Sequence, residues 1–273
     1  MAESFFEKDQ ILEEDLEYVA AVFDGEGHFD IRTKKNGEPI LKSICLKMST
    51  RDMNVLARVK SILNCGSVKS DIKFSTYHIS TKVDMRRVVE LLNGRIRLRL
   101  DSFMDSCKYL NIQFKQANYV IPRNSTYLSG LIDTRGSVVF NYRRNIIILA
   151  LVLKLNSRSE KLNFDITIPG IHPKVYKLQK GTQGKDFYGI RFVFCPTIDS
   201  MIHVYNFIVN SRNYSDVKYY RLLQIKNFIE IRNFKDSIKG SEDNKTYCKW
   251  VLNFISYLNP DYRKVNYFKE LTL

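Results

Sequence analysis

Two nine-residue stretches, VAAVFDGEG at 19–27 and LSGLIDTRG at 128–136, follow one pattern. Each has small residues near its start, an aspartate at its sixth position and a glycine at its ninth. The match continues downstream. HFDIRTK from 28 answers SVVFNYRR from 137, and SICLKMSTRD from 43 answers ALVLKLNSRS from 150. In the second pair Lys47 meets Lys154, Ser49 meets Asn156 and Arg51 meets Arg158. A repeat on this scale restricts the chain to two like halves, because each half inherits the same order of apolar faces to bury.

Runs of period 3.6 predict helices over both motifs, over MRRVVELLNG from 85 and over DSMIHVYNFI from 199. Runs of period 2 predict the strands between them. The expected fold is α+β, each half reading helix, two strands, helix, strands, helix, with a hairpin turn at Asn36-Gly37. Residues 1–115 form the first repeat and 126–273 the second. QANYVIPRNS at 116–125 carries a proline and few periodic apolar residues, and reads as a linker. The second repeat carries extra helices near 217–234 and 246–258, separated by the charged loop KDSIKGSEDNK. Aromatic residues there fall at core spacing, as in Tyr219 and Phe228, and are assigned to packing rather than base stacking.

The small residues, Ala20 and Ala21 in one motif and Ser129 and Gly130 in the other, would let two helices approach closely. Ser125 stands where an N-cap would start the second helix, and Gly27 and Gly136 stand where left-handed C-caps would end each one. Asp24 and Asp133, at the sixth positions, read as structural groups satisfying buried backbone. Such pairing brings the eighth positions together, where two carboxylates could hold divalent ions at a phosphate. The eighth residues are Glu26 and Arg135. A guanidinium keeps its proton and does not ligate Mg²⁺. Arg135 is expected to pair with Glu26 or to contact a phosphate.

Composition narrows the partner. Lys+Arg 43 against Asp+Glu 29 leaves +14, which favours a polyanion because bound phosphates release condensed counterions. With 17 Phe and 16 Tyr the chain is rich enough in aromatics to exclude disorder. The five cysteines include no CxxC pair and the four histidines are scattered, so neither a disulfide framework nor a zinc ribbon fits. No apolar run suits a membrane span, and the acidic start MAESFFEKDQILEEDLE lacks a signal peptide's apolar segment.

With these motifs the chain resembles two-motif LAGLIDADG proteins, the family of intron-encoded homing endonucleases and related RNA maturases. The likeness runs from about Leu16 to the helix near Phe207. The resemblance implies a saddle of two antiparallel sheets with nucleic acid on the concave side and the motif helices at the interface between halves. It makes the eighth-position acids catalytic metal ligands, a role that Glu26 matches and Arg135 does not. It also places a lysine in a later strand of each half. Lys82, within HISTKVD, fits in the first half, while Thr197 stands there in the second. Mg²⁺ is the implied cofactor if the chain is catalytic, and none otherwise. A monomer in an organelle, with no membrane, is the implied setting.

Strand parity gives the reading face. If Phe29 and Ile31 point inward, then His28, Asp30, Arg32 and Lys34 face the groove. The same parity exposes Ser137, Val139, Asn141 and Arg143, with Lys47, Ser49, Lys154 and Asn156 as further candidates. Taken together, these features and the resemblance predict a protein that binds structured RNA or a long DNA duplex, with impaired double-strand cleavage. Its expected role is RNA-directed, as an intron maturase or a component of an RNA assembly. The rival readings are a Mg²⁺-dependent DNA endonuclease or nickase using Glu26, and a binding-only module.

Overall fold

The computed structural model describes residues 11–179 and 187–271. In the first half, α1 (Glu13–Glu26) runs directly into β1 (Gly27–Thr33), which turns into β2 (Pro39–Ser49). Then follow α2 (Met53–Leu63), β3 (Ser67–Ser70), β4 (Phe74–Ile79), α3 (Lys82–Leu92) and α4 (Leu100–Leu110). The second half repeats the opening with α5 (Thr126–Arg135), β5 (Gly136–Asn141) and β6 (Ile146–Lys154). It continues with β7 (Lys174–Gln179), β8 (Phe187–Val193), α6 (Ile198–Asn210), α7 (Asp216–Ile231) and α8 (Glu242–Ser256). The strands form two antiparallel sheets of equivalent order, β1-β2-β4-β3 and β5-β6-β8-β7. Each has its own apolar core. Ala21 of α1 belongs to the core of the second half, which shows how deeply the motif helices interpenetrate.

The Asn36-Gly37 turn forms as expected: Gly37 adopts φ +83°, and its N–H donates to the Lys34 carbonyl at 2.9 Å. Ser125 caps α5, its hydroxyl accepting from the Tyr127 N–H at 3.2 Å. Gly27 and Gly136 differ from expectation. Their φ values are −70° and −72°, extended rather than left-handed, and each opens a strand. Glycine is needed there for space: a Cβ at either position would lie 2.4 Å from the carbonyl oxygen four residues back, Phe23 or Ile132.

Two helices also depart from the sequence reading. No α-helix lies between β6 and β7, where Pro169, Gly170 at φ +79° and Pro173 interrupt any helical run. Leu162, Phe164, Ile168 and Ile171 fill the core from an irregular segment instead. Conversely, α4 gives the first half a counterpart of α7. Its buried stripe, Leu100, Phe103, Cys107 and Leu110, keeps the helical period, with the polar Ser106 buried beside it. Residues 116–125 contain no helix or strand, and Ile121 within them is buried, its N–H donating to the Asn163 carbonyl at 2.9 Å. Among the described residues, no helix is long and apolar enough to cross a membrane.

Candidate nucleic-acid interface and catalytic position

The motif helices meet at backbone distance. A Cβ on Gly130 would lie 2.6 Å from the Tyr18 carbonyl oxygen and 2.7 Å from the Ala21 Cβ. A Cβ on Gly25 would lie 2.1 Å from the Thr134 hydroxyl oxygen. Third position therefore faces third position, and seventh faces seventh, across a local twofold relation.

The same relation exchanges two tyrosines. Tyr127, just before the second motif, donates its hydroxyl to Asp24 of the first at 2.7 Å. Tyr18, just before the first motif, donates to Asp133 of the second at 2.8 Å. Asp24 also accepts the N–H groups of Arg97, Leu98 and Arg99 at 2.8–2.9 Å, ahead of α4. Asp133 accepts those of Tyr214 and Ser215 at 2.8 and 3.1 Å, ahead of α7, and the Asn213 amide at 2.9 Å. Burial pushes both carboxyls up from their ordinary range, against the pull of these donors. The aspartates therefore hold the helix ends together, as a structural role for the sixth position requires.

At the eighth positions, Arg135 Nη2 stands 3.4 Å from the Glu26 carboxylate. Its Nε and Nη2 also donate to the Gly25 carbonyl at 2.9 and 2.6 Å, satisfying the end of α1. Arg99 donates to the same carbonyl at 3.1 Å. Lys218 of α7 does the equivalent for α5, donating to the Asp133 carbonyl at 2.6 Å, and burial lowers its ammonium pKa. Cations thus gather at the base of both motif helices.

Two clefts flank this point. One, of about 530 Å³, is lined by Glu26, Lys47, Ser49, Asp52, Phe74 and Thr134. The other, of about 280 Å³, is lined by Arg99, Arg135, Lys154, Asn156 and Ser159. Lys47 and Lys154 are both exposed but do not correspond as the sequence match suggests. Leu46 pairs with Gly27 and Leu151 with Gly136, so Val152 stands at the place of Lys47 and Lys154 at that of Ser49. Lys47 Nζ lies 4.7 Å from the Phe74 ring. Asn156 Oδ1 accepts from Arg158 and Ser159 at 3.0 and 2.9 Å, organising the turn after β6.

The other predicted residues are placed as follows. Phe29 is buried and Ile31 packs on the core, which turns His28, Asp30 and Arg32 to the opposite face. Arg32 pairs with Asp30 at 3.2 Å, and Lys34 with Glu38 at 3.0 Å across the turn. Ser137 donates to the Ala150 carbonyl at 3.3 Å. Val139 and Arg143 are exposed, and Asn141 Oδ1 accepts the Arg144 N–H at 3.0 Å. Lys82 does not join Glu26. It opens α3, its Nζ 6.0 Å from the Tyr109 ring, and the lysine in the Glu26 cleft is Lys47. Thr197 caps α6 as Thr81 caps α3, so it corresponds to Thr81 rather than Lys82.

Residues 22–118 match the LAGLIDADG endonuclease family. The chain is similar to LAGLIDADG proteins along most of its length. It is 25% identical over 263 residues to the intron-encoded DNA endonuclease ai2b of Dictyostelium discoideum, covering 94% of this chain and 93% of that one. It is 28% identical over 130 residues to the intron-encoded RNA maturase bI4 of Saccharomyces cerevisiae, covering 46% of this chain and 19% of that one. The LAGLIDADG homing endonuclease I-GzeII, solved in complex with its DNA target, shares the fold with a TM-score of 0.58 at 14% identity. The likeness covers 89% of this chain and 98% of that one.

A pair of Mg²⁺ ions at a LAGLIDADG helix interface would require oxygen donors from both eighth positions. Here those positions supply one carboxylate and one guanidinium, and the guanidinium already sits against Glu26. The described residues include no group of three His, Cys, Asp or Glu side chains placed to hold a metal ion. The donor set does not fit the paired ions.

Proposed function

We propose that this LAGLIDADG-like protein binds structured RNA, as an intron maturase or a fixed part of an RNA assembly, and that its double-strand DNA cleavage is impaired. The observation that carries the proposal is Arg135 resting on Glu26 at 3.4 Å, which places a permanent cation where the second carboxylate would be. The likeness to an RNA maturase supports the choice of RNA. The net charge of +14 supports a phosphate partner of either kind. In this reading Glu26, Arg135, Lys47 and Lys154 lie along the backbone of the bound nucleic acid, while the sheet residues from His28 and Ser137 onward approach its bases. The protein acts as a monomer with both motifs in one chain. Residence in an organelle belongs to the same proposal and rests on the intron-encoded relatives.

One observation favours a rival. The cleft at Glu26 also holds Asp52 and Lys47, a set that could serve Mg²⁺-dependent nicking of one strand. The test offers the purified chain structured organellar RNAs and a library of long DNA duplexes, with Mg²⁺ at fixed salt. Specific RNA binding without DNA cutting is the expected result. Arg135→Asp should then create double-strand cutting, and Glu26→Gln in that background should abolish it. DNA cuts by the wild-type chain that vanish in Glu26→Gln would instead establish an endonuclease.

A further inference from the structure

The concave faces of the two sheets are not alike. In strand register, Asp30, Ser43, Cys45 and Lys47 of the first half give way to Val139, Ile148, Ala150 and Val152 in the second. Strand pairing puts Arg191 beside Val152, and Tyr176 beside Arg191 on the edge strand. Past Ala150, toward the β5–β6 turn, this face hollows into a bowl of about 780 Å³ that spans all four strands. Its apolar lining comes from Val139, Ile148 and Val193, and Tyr176 is half exposed beside it. The C-terminal segment closes the outer end, where Tyr267 stacks on Tyr142 at 4.9 Å between centroids. Arg143, Arg144, Lys174 and Arg191 stand around the bowl against one carboxylate, Glu270. The Arg191 Nε is buried with no partner among the described residues.

Valine and isoleucine donate no hydrogen bond to a base edge, so on a duplex this face could offer only apolar contact, as to a thymine methyl. A base removed from its stack has two apolar faces to bury and carries phosphates on either side, and specific RNA recognition commonly relies on such bases. The volume falls within the usual range for small-ligand sites.

We propose that the bowl takes one unstacked nucleotide of the bound RNA. Its base would lie on the Val139, Ile148 and Val193 surface beside Tyr176, and its phosphates against Arg143, Lys174 and Arg191. This rests on the RNA reading above and assigns the second half a task different from that of the first.

The test uses the full chain and a hairpin RNA stem with one bulged 2-aminopurine nucleotide, its fully paired twin, and DNA versions of both. The bulged RNA should bind about tenfold more tightly than the paired one at equal salt, with a change in 2-aminopurine fluorescence. Val139→Glu and Tyr176→Ala should each remove that preference, lowering bulged-stem affinity about tenfold more than paired-stem affinity, while leaving the melting temperature unchanged. Equal affinity for bulged and paired RNA, or a preference that survives Val139→Glu, overturns the proposal. If bulged DNA shows the same Val139-dependent preference, the bowl stands and the choice of RNA fails. If RNA binds over DNA without regard to the bulge, the choice of RNA stands and the bowl fails.

Discussion

Replacing Gly130 with alanine tests the backbone-distance contact on which the whole interface rests. The added methyl would stand 2.6 Å from the Tyr18 carbonyl oxygen, 2.7 Å from the Ala21 Cβ and 3.3 Å from the Val22 nitrogen. All three belong to buried residues of a neighbouring helix, so no flexible side chain can yield. The two helices must separate. Overpacking of this kind costs about 1–3 kcal/mol, and two contacts under 3 Å put this site at the upper end. Alanine returns about 1 kcal/mol through its better helix propensity. The net loss is then about 2 kcal/mol, which for a chain of this size lowers the melting temperature by roughly 4–8 °C. Differential scanning calorimetry and urea unfolding measure it directly. Adding Ala21→Gly should give little rescue, because it relieves only the methyl contact and places a second glycine in a helix. A Gly130→Ala chain that melts at or above the wild-type temperature would refute the argument, since the helices would then have room to spare.

Further outcomes follow from the buried polar groups. Tyr127→Phe leaves Asp24 without one of its donors and should cost about 1–3 kcal/mol in urea unfolding, with Tyr18→Phe similar on the other side. Arg97→Met should cost about 3–5 kcal/mol, because it strands Glu17, whose partner at 2.9 Å is otherwise almost wholly buried. Between the halves, Arg158 pairs with Asp101 and holds its carboxyl below the ordinary carboxylate range. A depressed pKa means that this contribution is present at neutral pH and is lost as pH falls through the folded value. It should amount to less than about 1 kcal/mol because Asp101 is exposed. Asp101→Asn should therefore narrow the stability difference between neutral and acidic pH, and high salt should erase the effect of the substitution.

Elements governed by local pattern were legible in the chain. Alternation placed Phe29 inward and His28 outward, and Asn36-Gly37 fixed the first hairpin. The small residues at Ala21 and Gly130 announced the close helix pair. What escaped depends on distance in three dimensions. The glycines at 27 and 136 suggest a left-handed cap until the carbonyls of Phe23 and Ile132 are seen beside them. Lys82 and Lys47 are both lysines near strands, and only sheet register puts Lys47 in the cleft with Glu26. The exchanged tyrosines left a trace, since Tyr18 and Tyr127 sit at the same step before each motif. Their partners lie across the interface, however, where periodicity carries no information.

The unequal sizes along the motif helices bear on assembly. At the third positions Ala21 fits because Gly130 opposes it, and at the seventh Thr134 fits because Gly25 does. Two copies of the first half would set Ala21 against Ala21, with a methyl where none has room. Two copies of the second would set Thr134 against Thr134, with the same result. Each half is thus a poor mate for itself and a good one for the other. The two surfaces have become lock and key, and a duplicated ancestor of this kind could not separate into its halves and still form like pairs.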